Sequence, residues 1–577
     1  MKMEKLITPL VLSSCILLSA CDGNDSYNST STPAEDESPN IVLAAPTNDL
    51  LLNTNIKNNE AAYIPAQCYT KTQQDGDATV HNPCYACHNE STAPNYINDY
   101  SFQLAYEFRP YTRLNHWDNL FKDRTAEVNA ISNEAMTQYI RTSNYFDANG
   151  DIILAKTLTQ VPANWDFNQD GKWSGYTPDC YFNFDSEGFD KTPSGDDSGW
   201  KVFAYTPFLG TFWPTNGSTD DVLIRLPAVM QQMANGQYSR DVYNLNLSIV
   251  EAMIKRKNIS IPATDENLYN TDLNRNGQLD IATEIIYQWQ PTAGTYMYYV
   301  GKAKVLQEQG DLHIAAGLYP EGTEMLHSVR YIDTDEQGHI HLAPRMKELR
   351  YSYKHQWNTY SQINNVALSE IKESDQFPER LRTIRGNPET GLNNSLGWIY
   401  QGFIEDADGD LRPQSFEESL YCVGCHSGIG VTSDSSFAFP RKLDGANFQA
   451  GWFHWSQHGL QNIAEPKWSD GTWEYTEYLK QNHSGNEFRN NDEVMEKFFD
   501  SEGNLISGEV ETLHNDISHL LLPSPTRAMQ LNKAYKVIVN EQSYIYGRDA
   551  HIEPLVNVWD EVPEDEATGV TNLVISN

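Results

Sequence analysis

Apolar positions are spread unevenly along the 577 residues. A first run, Leu6–Leu18, is nearly continuous, broken by Pro9, Ser13 and Ser14 and preceded by Lys2 and Lys5. It is too short for a membrane span and has the basic start of an export signal. Residues 22–48 are rich in Asn, Ser, Thr, Pro and acid with few aromatics, the composition of a flexible linker. From Glu60 onward the pattern becomes globular. Apolar residues at helical spacing predict helices over Leu226–Met233, Val242–Arg256 and Met346–Trp357. Strand-like runs cover Tyr296–Leu306, His313–Leu318 and Ser328–Leu342, the last broken by the turn Asp335-Glu336-Gln337-Gly338. Helix-like segments dominate after residue 401, through Tyr546. The pattern predicts an α+β chain: mostly helical regions at 60–185 and 401–577 flanking a mixed α/β middle region at 186–400. A signal peptide, 1–20, and a linker, 21–59, precede them.

Apolar residues make up 39% of the chain, enough for sizeable cores. The formal net charge of −37 excludes nucleic acid as a partner, because phosphate binding needs a basic face. An acidic surface can steer a basic redox partner toward it. It serves equally as a solubility adaptation to salty surroundings.

The chemistry lies in two pentapeptides. Cys84-Tyr85-Ala86-Cys87-His88 and Cys422-Val423-Gly424-Cys425-His426 both spell C-x-x-C-H, which occurs nowhere else in the chain. This spacing is the attachment site of c-type haem. Two thiols one helical turn apart can form thioethers to the two vinyl groups of one porphyrin. The following histidine, His88 or His426, then sits under the iron as proximal ligand. The competing readings are half zinc sites and reducible disulfides. No second C-x-x-C lies near either motif to complete a zinc ribbon.

Leu18-Ser19-Ala20-Cys21, closing the apolar run, resembles the lipobox of bacterial lipoproteins. The resemblance implies that Cys21 becomes the lipidated N-terminus, with ordinary secretion as the rival reading. It implies a periplasmic protein, lipid-anchored to the inner or outer membrane; Asp22 resembles an inner-membrane retention signal. Of the eight cysteines, Cys15 leaves with the signal, Cys21 carries lipid and four hold haem. Cys68 and Cys180 remain, in a compartment that favours disulfides. They are expected to pair, the alternative being two buried thiols.

Sixth ligands to the irons are less marked. His116-Trp117 lies 28 residues after His88, and His454-Trp455 lies 28 residues after His426. These matched positions make His116 and His454 the first candidates. His458 competes with His454, and His81 can reach a neighbouring haem. For each of them the plain alternative is a surface or hydrogen-bonded histidine. Two acidic loops, Asp166-Phe167-Asn168-Gln169-Asp170-Gly171 and the run from Asp272 through Asn274, Asn276 and Gly277 to Asp280, follow the opening of an EF-hand loop. They are candidate calcium sites, with simple Asx turns as the alternative. Their twelfth positions are Thr177 and Thr283 in place of the usual bidentate Glu.

With its two haem motifs and lipobox the chain resembles dihaem c-type cytochromes. The resemblance implies cytochrome-c-like haem regions, two covalent haems and electron transfer from a membrane-anchored periplasmic protein to a redox partner. A dihaem oxidoreductase with one carrier haem and one catalytic haem, peroxidase- or oxygenase-like, is the alternative.

Overall fold

The computed structural model describes residues 64–70 and 110–564, except 209, 211, 212, 220, 379, 381, 382, 427–433, 445–449, 469 and 483–490. All of these fall in one unit, Ala45–Asn577.

In chain order the strands are β1 (Phe189–Lys191), β2 (Asp197–Phe203), β3 (Val222–Arg225), β4 (Ile259–Asp265), β5 (Ile281–Ile285), β6 (Glu324–Thr334), β7 (Ile340–Lys354), β8 (Arg385–Asn387), β9 (Gly391–Asn393), β10 (Trp398–Glu405) and β11 (Leu411–Pro413). Nine of them make one sheet in the order β1-β2-β3-β6-β7-β10-β9-β8, with β11 on β10. Neighbours run antiparallel, and β4 pairs with β5 in a separate hairpin. With the helices around this sheet, the fold is α+β.

The β6–β7 ladder is the spine of the sheet, and its turn is the predicted one. Asp335 accepts from the backbone N–H groups of Gln337 and His339, and Gly338 takes φ 85°. Strand pairing puts His327 opposite Arg350 and Arg350 opposite Gly402. On the adjacent rung of that face stand Met325, Ser352 and Tyr400. Side chains alternate between the faces of a strand, so Leu326, Leu349 and Phe403 point the other way. There they are buried in a cluster with Tyr145, Leu154, Trp200 and Cys180.

Two long helices clamp this sheet. Arg240–Lys255 starts at Ser239, whose side chain accepts from Val242 N, and ends at Arg256 in the left-handed region. An N-cap of this kind stabilises by about 1 kcal/mol. Its apolar residues share a core with Met325, Trp398 and Tyr400. Pro525–Glu541 starts at the Ser524 cap with Pro in its first turn, where the missing N–H costs nothing. Its Ala534, Tyr535 and Ile538 pack with Tyr331 of β6 and Ile404 of β10.

Four of the local expectations change. His313–Leu318 is not a strand but a turn closed by the single bridge Ala315↔Leu318. The Leu226–Met233 segment shortens to a single 3-10 turn, Ala228–Gln231. Tyr296–Leu306 is not a strand: Gly301 turns at φ 66° and Lys302–Gln309 is helical, as its run of good helix formers favours. Met346–Trp357 is not a helix but the second half of β7. Its partner residues jump from Val329↔Glu348 to Arg330↔Met346, so Lys347 is the extra residue of a β-bulge. The bulge returns Met346 to the face of Leu349, and three-residue spacing then imitates a helix.

Candidate functional site

The second C-x-x-C-H motif forms the end of a helix, Phe416–His426. Its start is a reciprocal capping box. Ser415 Oγ accepts from Glu418 N at 3.0 Å, and the Glu418 carboxylate accepts from Ser415 N at 2.8 Å. Its last carbonyl, on His426, accepts from Asn394 Nδ2 at 2.9 Å. A buried ionic lattice fixes the helix laterally. Arg412 makes two bonds of 2.8 Å to Glu418. Arg548 donates to the Glu418 carbonyl at 2.5 Å and to the Glu348 carboxylate at 2.7 Å. Arg350 completes it with bonds of 3.0 and 3.1 Å to Glu348. Burial acts to raise the Glu348 carboxyl, but Arg350 and Arg548 outweigh it and hold that carboxyl down to about 2.

Cys422, Cys425 and His426 open into one cavity between this helix and the sheet. It encloses about 1220 Å³ of space free of protein atoms, its mouth included. Val222, Met325, His327, Arg350, Ser352 and Tyr400 line it from the sheet; Tyr205, Tyr421 and Phe437 add aromatic walls. The His426 ring stacks on Tyr400 with centroids 4.7 Å apart and meets Phe437 edge-on at 5.1 Å. Its Nδ1 lies 2.8 Å from the Ser435 carbonyl. That bond fixes the neutral ring with its proton on Nδ1 and leaves Nε2 as the lone-pair donor, the usual state of a metal-binding histidine. Burial pushes the His426 imidazole down to about 4.

The two thiols are not joined to each other. Burial pushes the Cys422 thiol up, away from the thiolate that a zinc or redox site needs. Tyr205 Oη and Trp398 Nε1 are buried without a hydrogen-bond partner, and both side chains line the cavity. Orphaned buried polar groups are rare and call for an explanation such as a bound group. Two thiols one turn apart, an imidazole with a free Nε2 and an aromatic lining together fit a covalently held porphyrin.

Sequence reasoning missed His327. This β6 residue lines the same cavity, and burial pushes its imidazole down to about 4. No local motif marks it; only the sheet register brings it across from the helix.

The first motif, Cys84, Cys87 and His88, lies outside the described residues, as do Cys21 and His81. His116 stacks on Tyr111 at 4.5 Å, with Nε2 3.2 Å from the Tyr111 carbonyl. The adjacent Trp117 meets Tyr421 edge-on at 5.3 Å, so this segment abuts the second motif helix. His454 does not line the cavity, contrary to the matched-spacing expectation. Its Nε2 faces the Asp221 carboxylate at 3.3 Å and its Nδ1 faces Ser456 Oγ at 2.6 Å. Both nitrogens are thus engaged. His458 is exposed, edge-on to Phe453, and also stands outside the cavity lining.

The expected Cys68–Cys180 bridge is not formed. Cys180 sits fully buried in the aromatic cluster beneath the sheet, where burial pushes its thiol well up. Both acidic loops turn at the expected glycines. Asp166 accepts from Asp170 N and Gly171 N, and Asp272 accepts from Gly277 N. Asn168 and Asp170 accept from backbone N–H groups within the same turn. Asn274 and Asn276 donate to Asp280. Most of these oxygens bond within the loops themselves, whereas Asp272 Oδ1 is buried without a hydrogen-bond partner; among the described residues no three His, Cys, Asp or Glu side chains converge to hold a metal ion.

A protein-family model described as a lipoprotein matches residues 52–518. The chain belongs to this lipoprotein family. A relative from Aquifex aeolicus (strain VF5), named "Uncharacterized lipoprotein", is 28% identical over 582 residues, covering 90% of this chain and 92% of the relative. No solved structure matches. Family membership makes the chain a lipoprotein, membrane-associated in the cell envelope. Among its described residues no helix is long and apolar enough to cross a membrane.

Proposed function

We propose that this lipoprotein is a dihaem c-type cytochrome that transfers electrons at a membrane face of the bacterial periplasm. The observation that carries the reading is the cavity into which Cys422, Cys425 and His426 open together, with His426 Nδ1 held by the Ser435 carbonyl. Cys422 and Cys425 would hold one haem and Cys84 and Cys87 the other, with His426 and His88 as proximal ligands. Each iron would supply one-electron redox chemistry. The chain's own part is to orient the imidazole, keep water from the porphyrin faces and present an acidic surface to a basic partner. The alternative, an oxidoreductase with one catalytic haem, needs an open iron position. A second imidazole in the same cavity favours the carrier.

The test is a haem count. The mature protein should retain haem through acid–acetone extraction and give a pyridine haemochrome ratio of two per chain. Extractable haem, or none, would overturn the reading. The anchor is assigned to Cys21. A Cys21→Ser protein should move from the membrane pellet to the soluble periplasmic fraction, and a variant that still pellets would place the anchor elsewhere.

A further inference from the structure

The cavity holds two histidines on different walls. His426 ends the motif helix, whereas His327 projects from β6. The β6–β7–β10 register places His327 two strands from Tyr400, about 10 Å across the sheet at ordinary strand spacing. Tyr400 is the ring on which His426 stacks, and both imidazoles line the same open cavity. His327 lies deep in the protein yet keeps accessible surface, and that surface is the cavity's. The neighbouring Asp221 carboxylate is committed to Ser328 N and His454, which leaves the His327 ring to the cavity. The rival donor on this face, Met325, is 4% exposed and packs into the apolar core.

We propose that His327 is the sixth ligand of the haem attached at Cys422 and Cys425. This rests on the haem reading above and deepens it: the second haem is then bis-histidine, with no open position for substrate. His454, matched by spacing to the motif, serves instead behind His327, holding Asp221.

The test uses the full-length holoprotein and reads haem count and spin state separately. In a Cys84→Ser/Cys87→Ser protein, which keeps only the second haem, that haem should be low-spin by electron paramagnetic resonance. With both haems present, His327→Ala should turn half of the iron high-spin while the haemochrome ratio stays at two, and added imidazole should restore the low-spin signal. A His327→Met protein should stay low-spin and raise the reduction potential of one haem, as methionine ligation does. A second haem that is already high-spin with His327 in place overturns the proposal. So does a His327→Ala protein with two haems and an unchanged spectrum, which would pass the ligand role to Met325. Where His327→Ala loses haem by misfolding, His327→Met decides, and an unshifted potential counts against His327. A wild-type ratio of zero instead overturns the haem reading itself.

Discussion

A Cys422→Ser/Cys425→Ser protein is expected to carry one covalent haem per chain instead of two. Serine cannot form the thioethers, and the two thiols share one helical turn that opens into a single cavity. Removing both therefore removes every covalent link at that site. His426 keeps its place, because its Nδ1 bond to Ser435 and its stacking on Tyr400 do not depend on the cysteines. The haemochrome ratio checks the count, and tryptic peptides containing residue 422 should lose the mass of haem. A ratio that stays at two would mean that the motif is not the attachment site. If the thiols were instead half of a zinc site, the haem content would not change at all.

Glu348→Gln is expected to destabilise the fold by about 3–5 kcal/mol, the usual cost of leaving buried charge uncompensated. Glu348 is 2% exposed and bonds to both Arg350 and Arg548. Its loss leaves the buried Arg548 guanidinium and the half-buried Arg350 guanidinium facing a neutral amide. Arg548 also grips the carbonyl of Glu418, so the damage reaches the motif helix. Urea denaturation of the folded holoprotein measures the effect, and a loss below about 1 kcal/mol would show that the lattice is dispensable. The same group sets a pH dependence. Its folded pKa, about 2, lies below the ordinary carboxyl value of 4.5. Its contribution is therefore fully present above the unfolded pKa and is lost as pH falls through the folded one. Wild type should lose on the order of 3 kcal/mol between about pH 5 and pH 2 from this residue. The Glu348→Gln protein should lack that part of the slope.

The sequence marked the motif residues of the site better than its walls. The C-x-x-C-H spacing located Cys422, Cys425 and His426 because the requirement is local, one helical turn. The helix Arg240–Lys255 and the β6–β7 turn were likewise legible, since each depends on neighbouring residues alone. What could not be read was pairing across long stretches of chain. His327 reaches the motif only through the β3-β6-β7-β10 strand order. The second half of β7 was mistaken for a helix because of the bulge at Lys347 and because Lys347 and Glu348 are charged yet buried. Charged residues normally mark an exposed face, and only a compensating lattice lets them line an interior. The His454 expectation failed for a related reason. Equal spacing after two motifs says nothing about which buried carboxylate the ring will meet, and Asp221 lies far away in the sequence.

The grip of Arg548 on the motif helix bears on when the protein can be matured. On the proposed reading, an attachment enzyme must reach both thiols while the chain is open. Sheet strands that line the cavity are made before the motif, but Arg548 and the helix Pro525–Glu541 leave the ribosome and the export channel later. The lattice that seats the motif helix is thus incomplete until the C-terminal segment arrives. Synthesis order itself supplies a window in which Cys422 and Cys425 stay reachable, and the last-made residues close it.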